Sequence, residues 1–454
     1  MNGRNLEKRK EIIMQEVNLT EGSIFQKLIR FSLPMIAGNL LQQIYNLVDT
    51  LIVGKCIGAD ALASVGSAYT LMIFITSIII GLCMGSGAFF SADYGAGENG
   101  RLREDVCLSF WFILAVSGAI YLAVYPGMQL ILNLLQTPPE LMAMTRDYVS
   151  VVFVGILFVF LYNFFSYLLR AMGNSIVPLI FLAISAGMNI LLDIWFVAGL
   201  HMGVSGAAWA TVIAQAAAGI GIAVYSIAKL PILHKDMPSM KWNPHRLWEI
   251  IVNDVATGIQ QSVMNFGILM IQGLVNSFGA TIMASFAAAV KIDTIAYMPA
   301  QEFGNAYSLF VSQNYGAKKA ERIRSGTHIS FLASAAFCLM ISVFIFFFAE
   351  SLMGIFIDAS ETAIIAEGAR YLRIEGAMYV GIGILFLWYG YFRGIRKPRI
   401  SLILTVISLG TRVVLSYALA PHTPLGVAAI WCSIPIGWLL ADAAGLLFYR
   451  RYRQ

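Results

Sequence analysis

Charge is scarce in this chain. Only 12% of its 454 residues are Asp, Glu, Lys or Arg, about half of the roughly 25% usual in a soluble domain. With 59% hydrophobic residues and a mean hydropathy of +0.75, it has too little polar surface to cover its apolar sequence in water. Paired cysteines are missing too. Cys56, Cys83, Cys107, Cys338 and Cys432 are odd in number and scattered, which excludes a disulfide framework or a zinc site built on C-x-x-C. They read as small apolar fillers. The histidines (His201, His234, His245, His328, His422) fall in loops or near the ends of apolar runs. None forms the spaced pair of a metal site or an evident partner for a nucleophile, so an intramembrane enzyme is disfavoured. No glycine-rich loop ending in GK[ST] occurs, which argues against ATP-driven transport by this chain. No cofactor is implied.

What is present is a series of long apolar runs. About twelve reach the ~20 residues needed to span a bilayer. They lie roughly at 27–53, 60–92, 105–132, 141–170, 176–199, 204–230, 247–276, 280–313, 326–356, 362–392, 398–420 and 425–449. The expected fold is an all-α integral membrane protein with about twelve transmembrane helices. Residues 1–22 are polar and mixed in charge, without the apolar core and cleavage site of a secretory signal. They read as a cytoplasmic N-terminal arm, with the first span as the insertion signal.

The net charge of +5 is explained by topology and does not imply nucleic acid. Basic residues gather in alternate loops: Arg101 and Arg103; Arg170; Lys229, Lys235, Lys241 and Arg246; Lys318, Lys319, Arg322 and Arg324; Arg393, Arg396, Lys397 and Arg399; and Arg450, Arg451 and Arg453. The positive-inside rule then puts both termini and the middle loop in the cytoplasm of a plasma (inner) membrane protein. Arg370 and Arg373, near the outer start of the tenth span, are a mild exception.

The chain also repeats itself. Gly58–Ser64 (GADALAS) returns as Gly279–Ser285 (GATIMAS), and Ser91–Arg103 (SADYGAGENGRLR) as Ser312–Arg324 (SQNYGAKKAERIR). Ile184–Asp193 returns as Ile407–Ser416. The halves read as two six-helix copies: an N lobe at 23–230, a cytoplasmic linker at 231–245 and a C lobe at 246–454. An even number of spans per copy gives both the same orientation, an architecture suited to alternating access.

The first span, Pro34 to Gly54, holds one carboxylate, Asp49. Ionisable groups inside a spanning helix are costly, and mark a function by default. Pro34 removes a backbone donor from the same helix and invites a bend. At ~1.5 Å per residue, Asp49 lies about 8 Å, Asp193 about 9 Å and Thr211 about 12 Å below the outer ends of their spans. Asn189 and Asp193 are four apart, on one helical face. Four oxygen-bearing side chains at similar depth form a candidate site for H⁺ or Na⁺. The alternative reading is that these groups only hydrogen-bond helices together.

These pieces resemble the multidrug and toxic compound extrusion (MATE) family over nearly the whole chain from Leu19. They are LTEGSI, LP-x10-YN-x2-DT-x2-VG, GADALAS, YGA with its downstream bases, RAMGN-x3-P and N-x3-D in the first half. QEFGNAYSLFVSQNYGAKK and YFRGI follow in the second. The chain is most similar to the branch whose cation site is in the N lobe, and the resemblance adds Tyr148 as a fifth member of that site. It departs from the family at Asn174, where Asp is frequent, and at Ile194, where some members have proline after the Asp193 position. Ala256 stands where the repeat of Pro34 would fall.

The second half diverges at the equivalent site. Arg412 takes the place of Asn189 and Ser416 that of Asp193. Glu375 is the expected partner of Arg412; Lys291 and Asp293 lie near mid-membrane, and Glu302 deeper. These charges read either as a network that holds the lobe together or as acids facing a cavity that attracts cationic compounds. Asp254, near the inner end of the seventh span, reads as a solvated terminus.

The resemblance implies a secondary antiporter that exports lipophilic, often cationic, organic compounds against H⁺ or Na⁺ flow. The alternative is a lipid-linked precursor flippase of the same superfamily. The expected partners are small organic substrates and membrane lipids, with a monomer as the functional unit. No metal is expected beyond Na⁺ at the N-lobe site.

Overall fold

The computed structural model describes residues 17–134, 137–233 and 243–452. The reading of residues 1–16 as part of an arm and of 234–242 as linker, with Lys235 and Lys241, lies outside them, as does Arg453. The described residues are nearly all helical. In chain order the α-helices are α1 (Ile24–Cys56), α2 (Ala59–Ala96), α3 (Asn99–Leu134), α4 (Pro139–Val154), α5 (Ile156–Ala171), α6 (Ile176–Asp193) and α7 (Gly203–Lys229). Then come α8 (Pro244–Asn276), α9 (Ala280–Gly316), α10 (Ala320–Met353), α11 (Thr362–Gly376), α12 (Tyr379–Gly394), α13 (Pro398–Leu419) and α14 (Val427–Tyr452). The protein is an all-α, multi-pass membrane protein.

Two spans read as continuous from sequence are bent pairs: α4 with α5 at 42°, and α11 with α12 at 52°. Counting each pair as one element leaves twelve helical elements among the described residues. Eight helices are apolar enough to cross a bilayer by themselves, and ten spans result with the bent pairs. The remaining two are α1 and α8, the first helix of each repeat. Their hydropathy is lowered by amides: Asn39, Gln42, Gln43 and Asn46 in one, and Asn253, Gln260, Gln261 and Asn265 in the other.

The repeat extends to backbone geometry. Helices α2 and α9 both start after a glycine with positive φ, Gly58 at 125° and Gly279 at 98°, a region that only glycine enters without strain. The turn after α2 uses Gly97 at φ 72°, while the turn after α9 puts Lys318 at φ 56°. Likewise Gly173 at φ 91° is answered by Arg396 at φ 59°. Left-handed backbone costs an ordinary residue about 1 kcal/mol or more, so at these two turns the second copy accepts strain that the first avoids.

The chain divides into two units. The first holds Leu33–Gly258 with Val17 and Asn18, and the second holds Leu19–Ser32 with the chain from Ile259 onward. Helix α1 therefore changes unit between Ser32 and Leu33, and α8 between Gly258 and Ile259.

Within the second unit, residues 19–22 are bound by the basic segment after α9. Asn314 Nδ2 and Arg322 Nε each donate to the Leu19 carbonyl at 3.2 Å. Lys319 Nζ donates to Thr20 at 2.9 Å, and Arg322 Nη1 and Nη2 to Gly22 at 2.8 Å and Glu21 at 2.9 Å. In the first unit the start of α8 is bound by acids of the equivalent segment. Arg246 Nε donates to Asp105 at 2.8 Å and Nη2 to Asp93 at 3.0 Å. Arg246, read as a loop base, is buried to 5% side-chain exposure.

The first unit's core is aromatic around Phe110, whose ring lies 5.3 Å from both Phe160 and Phe164. In the second unit Phe286 stacks on Trp431 at 5.4 Å. The Trp431 indole N–H donates to Glu367 at 2.8 Å, which satisfies the one polar atom of a buried ring.

Candidate functional site

Four elements of the first unit bring the predicted cation-site residues together. Asp49 sits on α1, Tyr148 on α4, Asn189 and Asp193 on α6, and Thr211 on α7. Helix α6 gives way directly after Asp193 to a π-helical turn, Ile194–Gly199. Such turns concentrate at functional sites, because they re-aim side chains without breaking the helix. Asp193 is 0% exposed; Asn189 and Tyr148 are buried, and Asp49 and Thr211 half-buried.

The polar contacts are incomplete. Asn189 Nδ2 approaches Thr211 Oγ1 at 3.5 Å, a long contact. The Thr211 hydroxyl donates to the Ala207 carbonyl at 3.0 Å, so its oxygen keeps acceptor capacity. Asp49 Oδ1, Asn189 Oδ1 and both oxygens of Asp193 are buried and, apart from the contact between the two carboxyls, have no hydrogen-bond donor among the described residues. Asp49, Asp193 and the Tyr148 hydroxyl interact electrostatically. Buried polar atoms are almost always satisfied in native proteins, so four acceptor oxygens in one cluster call for positive charge. A proton meets that need on a carboxylate. Na⁺ meets it equally well, since hard cations take oxygen ligands. Tyr45, one turn before Asp49, was not singled out from sequence. It interacts with Asp49, Tyr69 and Tyr162, and its position four residues before Asp49 was the available signal.

The five charges singled out in the second unit separate into two groups and an exposed lysine. Asp293 on α9, Glu375 on α11 and Arg412 on α13 are all buried. With Tyr297, Tyr371 and Trp438 they line a cavity of about 40 Å³. The Tyr379 hydroxyl donates to Asp293 at 2.7 Å. Arg412 and Glu375 share the cavity and interact electrostatically. Glu375 Oε2 and Arg412 Nε have no hydrogen-bond partner among the described residues. Glu302 belongs elsewhere. It accepts from Asn305 Nδ2 at 3.3 Å, and Asn305 in turn accepts from Arg393 at 3.0 Å. Lys291 is exposed and does not line the cavity.

The solvated reading of Asp254 is overturned: it is 0% exposed and accepts from the Ser86 hydroxyl. Helix α2 covers it, through glycines that let the two backbones approach.

Residues 34–195 and 256–418 match the MatE family, one match in each half of the chain. A relative from Bacillus subtilis (strain 168), "Probable multidrug resistance protein YpnP", is 30% identical across 96% of this chain and 97% of its own length. Two solved structures, described as MATE in the bent and in the straight conformation, have the same fold. Their TM-scores are 0.89 and 0.88 at 22% identity, covering 96% of this chain and 97% and 98% of theirs.

Proposed function

The chain belongs to the multidrug and toxic compound extrusion family, and on that premise we propose that it is a cation-coupled antiporter exporting lipophilic, often cationic, organic compounds. Members of the family are transporters and not enzymes, and they work without a cofactor. The observation that carries the coupling is the first-unit cluster, in which Asp49 and Asp193 bring two carboxylates and Asn189 a further orphaned oxygen. Thr211 and Tyr148 complete the oxygen set.

In the proposed cycle H⁺ or Na⁺ neutralises the Asp49–Asp193 pair. Loading removes the repulsion between α1 and α6 and changes how α1 packs. Pro34 is the hinge through which that change reaches the rest of α1, since its missing N–H leaves the Arg30 carbonyl without an intrahelical donor. Substrate and coupling ion then bind in alternation, because each favours a different packing of the same helix. The bent and straight conformations of solved relatives support a fold with two states.

In the second unit Arg412 brings a permanent positive charge to Asp293 and Glu375, so we assign that cluster to charge balance and not to the coupling ion. The relative's name, a multidrug resistance protein, does not favour the lipid-linked flippase. The working protein is a monomer in the plasma membrane with both termini in the cytoplasm.

The test is efflux of a fluorescent lipophilic cation from proteoliposomes, driven in turn by a pH gradient and by a Na⁺ gradient. Efflux driven by one gradient is expected and identifies the ion. Efflux that ignores both gradients would refute the antiporter.

A further inference from the structure

The first unit holds a buried carboxyl that neither the coupling site nor the Arg246 cluster uses. Asp254 lies on the first half of α8, against α2. Its Oδ2 accepts from the Ser86 hydroxyl, while its Oδ1 is buried without a partner among the described residues. The neighbouring Asn253 donates its Nδ2 to the Gly85 carbonyl at 3.0 Å and also interacts with Asp254, while its own Oδ1 has no partner among the described residues.

The contact that seals Asp254 is made by glycine. A Cβ on Gly85 would stand 2.6 Å from Asp254 Oδ1 and 2.8 Å from its Cα. One turn away, a Cβ on Gly81 would stand 2.5 Å from the Gly258 Cα. Helices α2 and α8 thus touch backbone to backbone at Asp254 and again one turn further along α8. Phe89, Leu108 and Ile250 form a small apolar cluster at the same contact, and Asp254 is closed off from solvent in this packing.

The charges around it do not compensate an ionised Asp254. From α2 come Cys83, Ser86 and Asp93; from α3 comes Asp105; on α8 itself are Arg246 and Glu249. Arg246 is the one cation in that set. Its guanidinium is already engaged by Asp93, Asp105 and Glu249, and it lies two turns from Asp254, about 12 Å along the helix. A buried carboxylate with no cation partner and one unsatisfied oxygen is far costlier than a neutral carboxyl.

We propose that Asp254 is a proton-binding site separate from Asp49 and Asp193, neutral while the α2–α8 glycine seam is closed and able to exchange its proton when the seam parts. It sits at the end of the bundle opposite the Asp49 site: Asp49 is seven residues from the end of α1, whereas Ser86 is ten from the far end of α2. A proton is bound there whether or not the coupling assignment holds.

The test is infrared difference spectroscopy of the purified full-length protein, titrated from neutral to alkaline pH. The expected result is a protonated-carboxyl C=O stretch that disappears on titration, is missing in Asp254→Asn and persists in Asp49→Asn. Ser86→Ala should shift its frequency by removing the hydrogen bond, which assigns the band even if Asp254→Asn folds poorly. No band sensitive to either substitution would overturn the proposal. So would an Asp254 band that never titrates, because it would mark a fixed structural proton.

Discussion

Asp49 on α1 and Asp193 on α6 face each other in the first unit, with three of their carboxylate oxygens buried and, among the described residues, without a donor from outside the pair. Two acids in such surroundings repel unless something positive joins them. The switch we propose is this pair, whose two states differ in the charge held between α1 and α6.

The Arg246 cluster fixes the start of α8 to α2 and α3. Removing one partner of a buried ion pair typically costs about 3–5 kcal/mol, because the other charge stays buried. Arg246→Met should lower the heat-unfolding midpoint of the detergent-solubilised protein accordingly. Arg246→Lys should rescue it only in part, since an ammonium cannot reproduce the planar fork that meets Asp93 and Asp105 together. Full rescue by lysine would show that charge alone matters there.

The glycine seam predicts a sharp contrast between two alanine substitutions. Gly85→Ala places a methyl group against the Asp254 backbone and should cost about 1–3 kcal/mol, the range for overpacking. Gly118→Ala in α3, whose new Cβ would meet nothing within 4 Å, should be neutral or stabilise by up to about 1 kcal/mol through helix propensity. Comparing the two unfolding midpoints checks this, and equal effects would argue against a close contact at Gly85.

Arg412 offsets two buried acids. Arg412→Leu leaves Asp293 and Glu375 without their cation and should destabilise by about 1–3 kcal/mol, less than for a directly bonded pair. Adding Glu375→Gln should recover part of that loss, giving a coupling between the two sites in a double-mutant cycle. Strictly additive effects would remove Arg412 from the charge balance of the cavity.

Much of this architecture was legible in the residues. The returning GADALAS segment announced the repeat, and its first glycine has positive φ in both copies because the same turn demands it. Asn189 and Asp193 could be paired from helical spacing alone. What spacing cannot supply is direction around the helix axis. Lys291 and Asp293 are two residues apart, yet one is exposed and the other lines the cavity. Asp254 was misread for the same reason: distance from a helix end suggested solvent, but Gly81 and Gly85 on another helix close over it. The bends at Gly155 and at Ala377–Met378 were hidden inside continuous apolar runs with no proline to mark them.

The proposed antiport requires that the Asp49 site and the substrate site be linked. Linkage of this kind is worth about 1–3 kcal/mol, or roughly 5–150-fold in affinity. The most direct measurement is equilibrium binding of a fluorescent lipophilic cation to the purified protein, with pH and Na⁺ varied separately, in wild type and in Asp49→Asn. Loading one of the two ions should weaken wild-type binding by a factor in that range and leave the variant unchanged. A variant that responds to the ions as wild type does would show that Asp49 does not link the two sites.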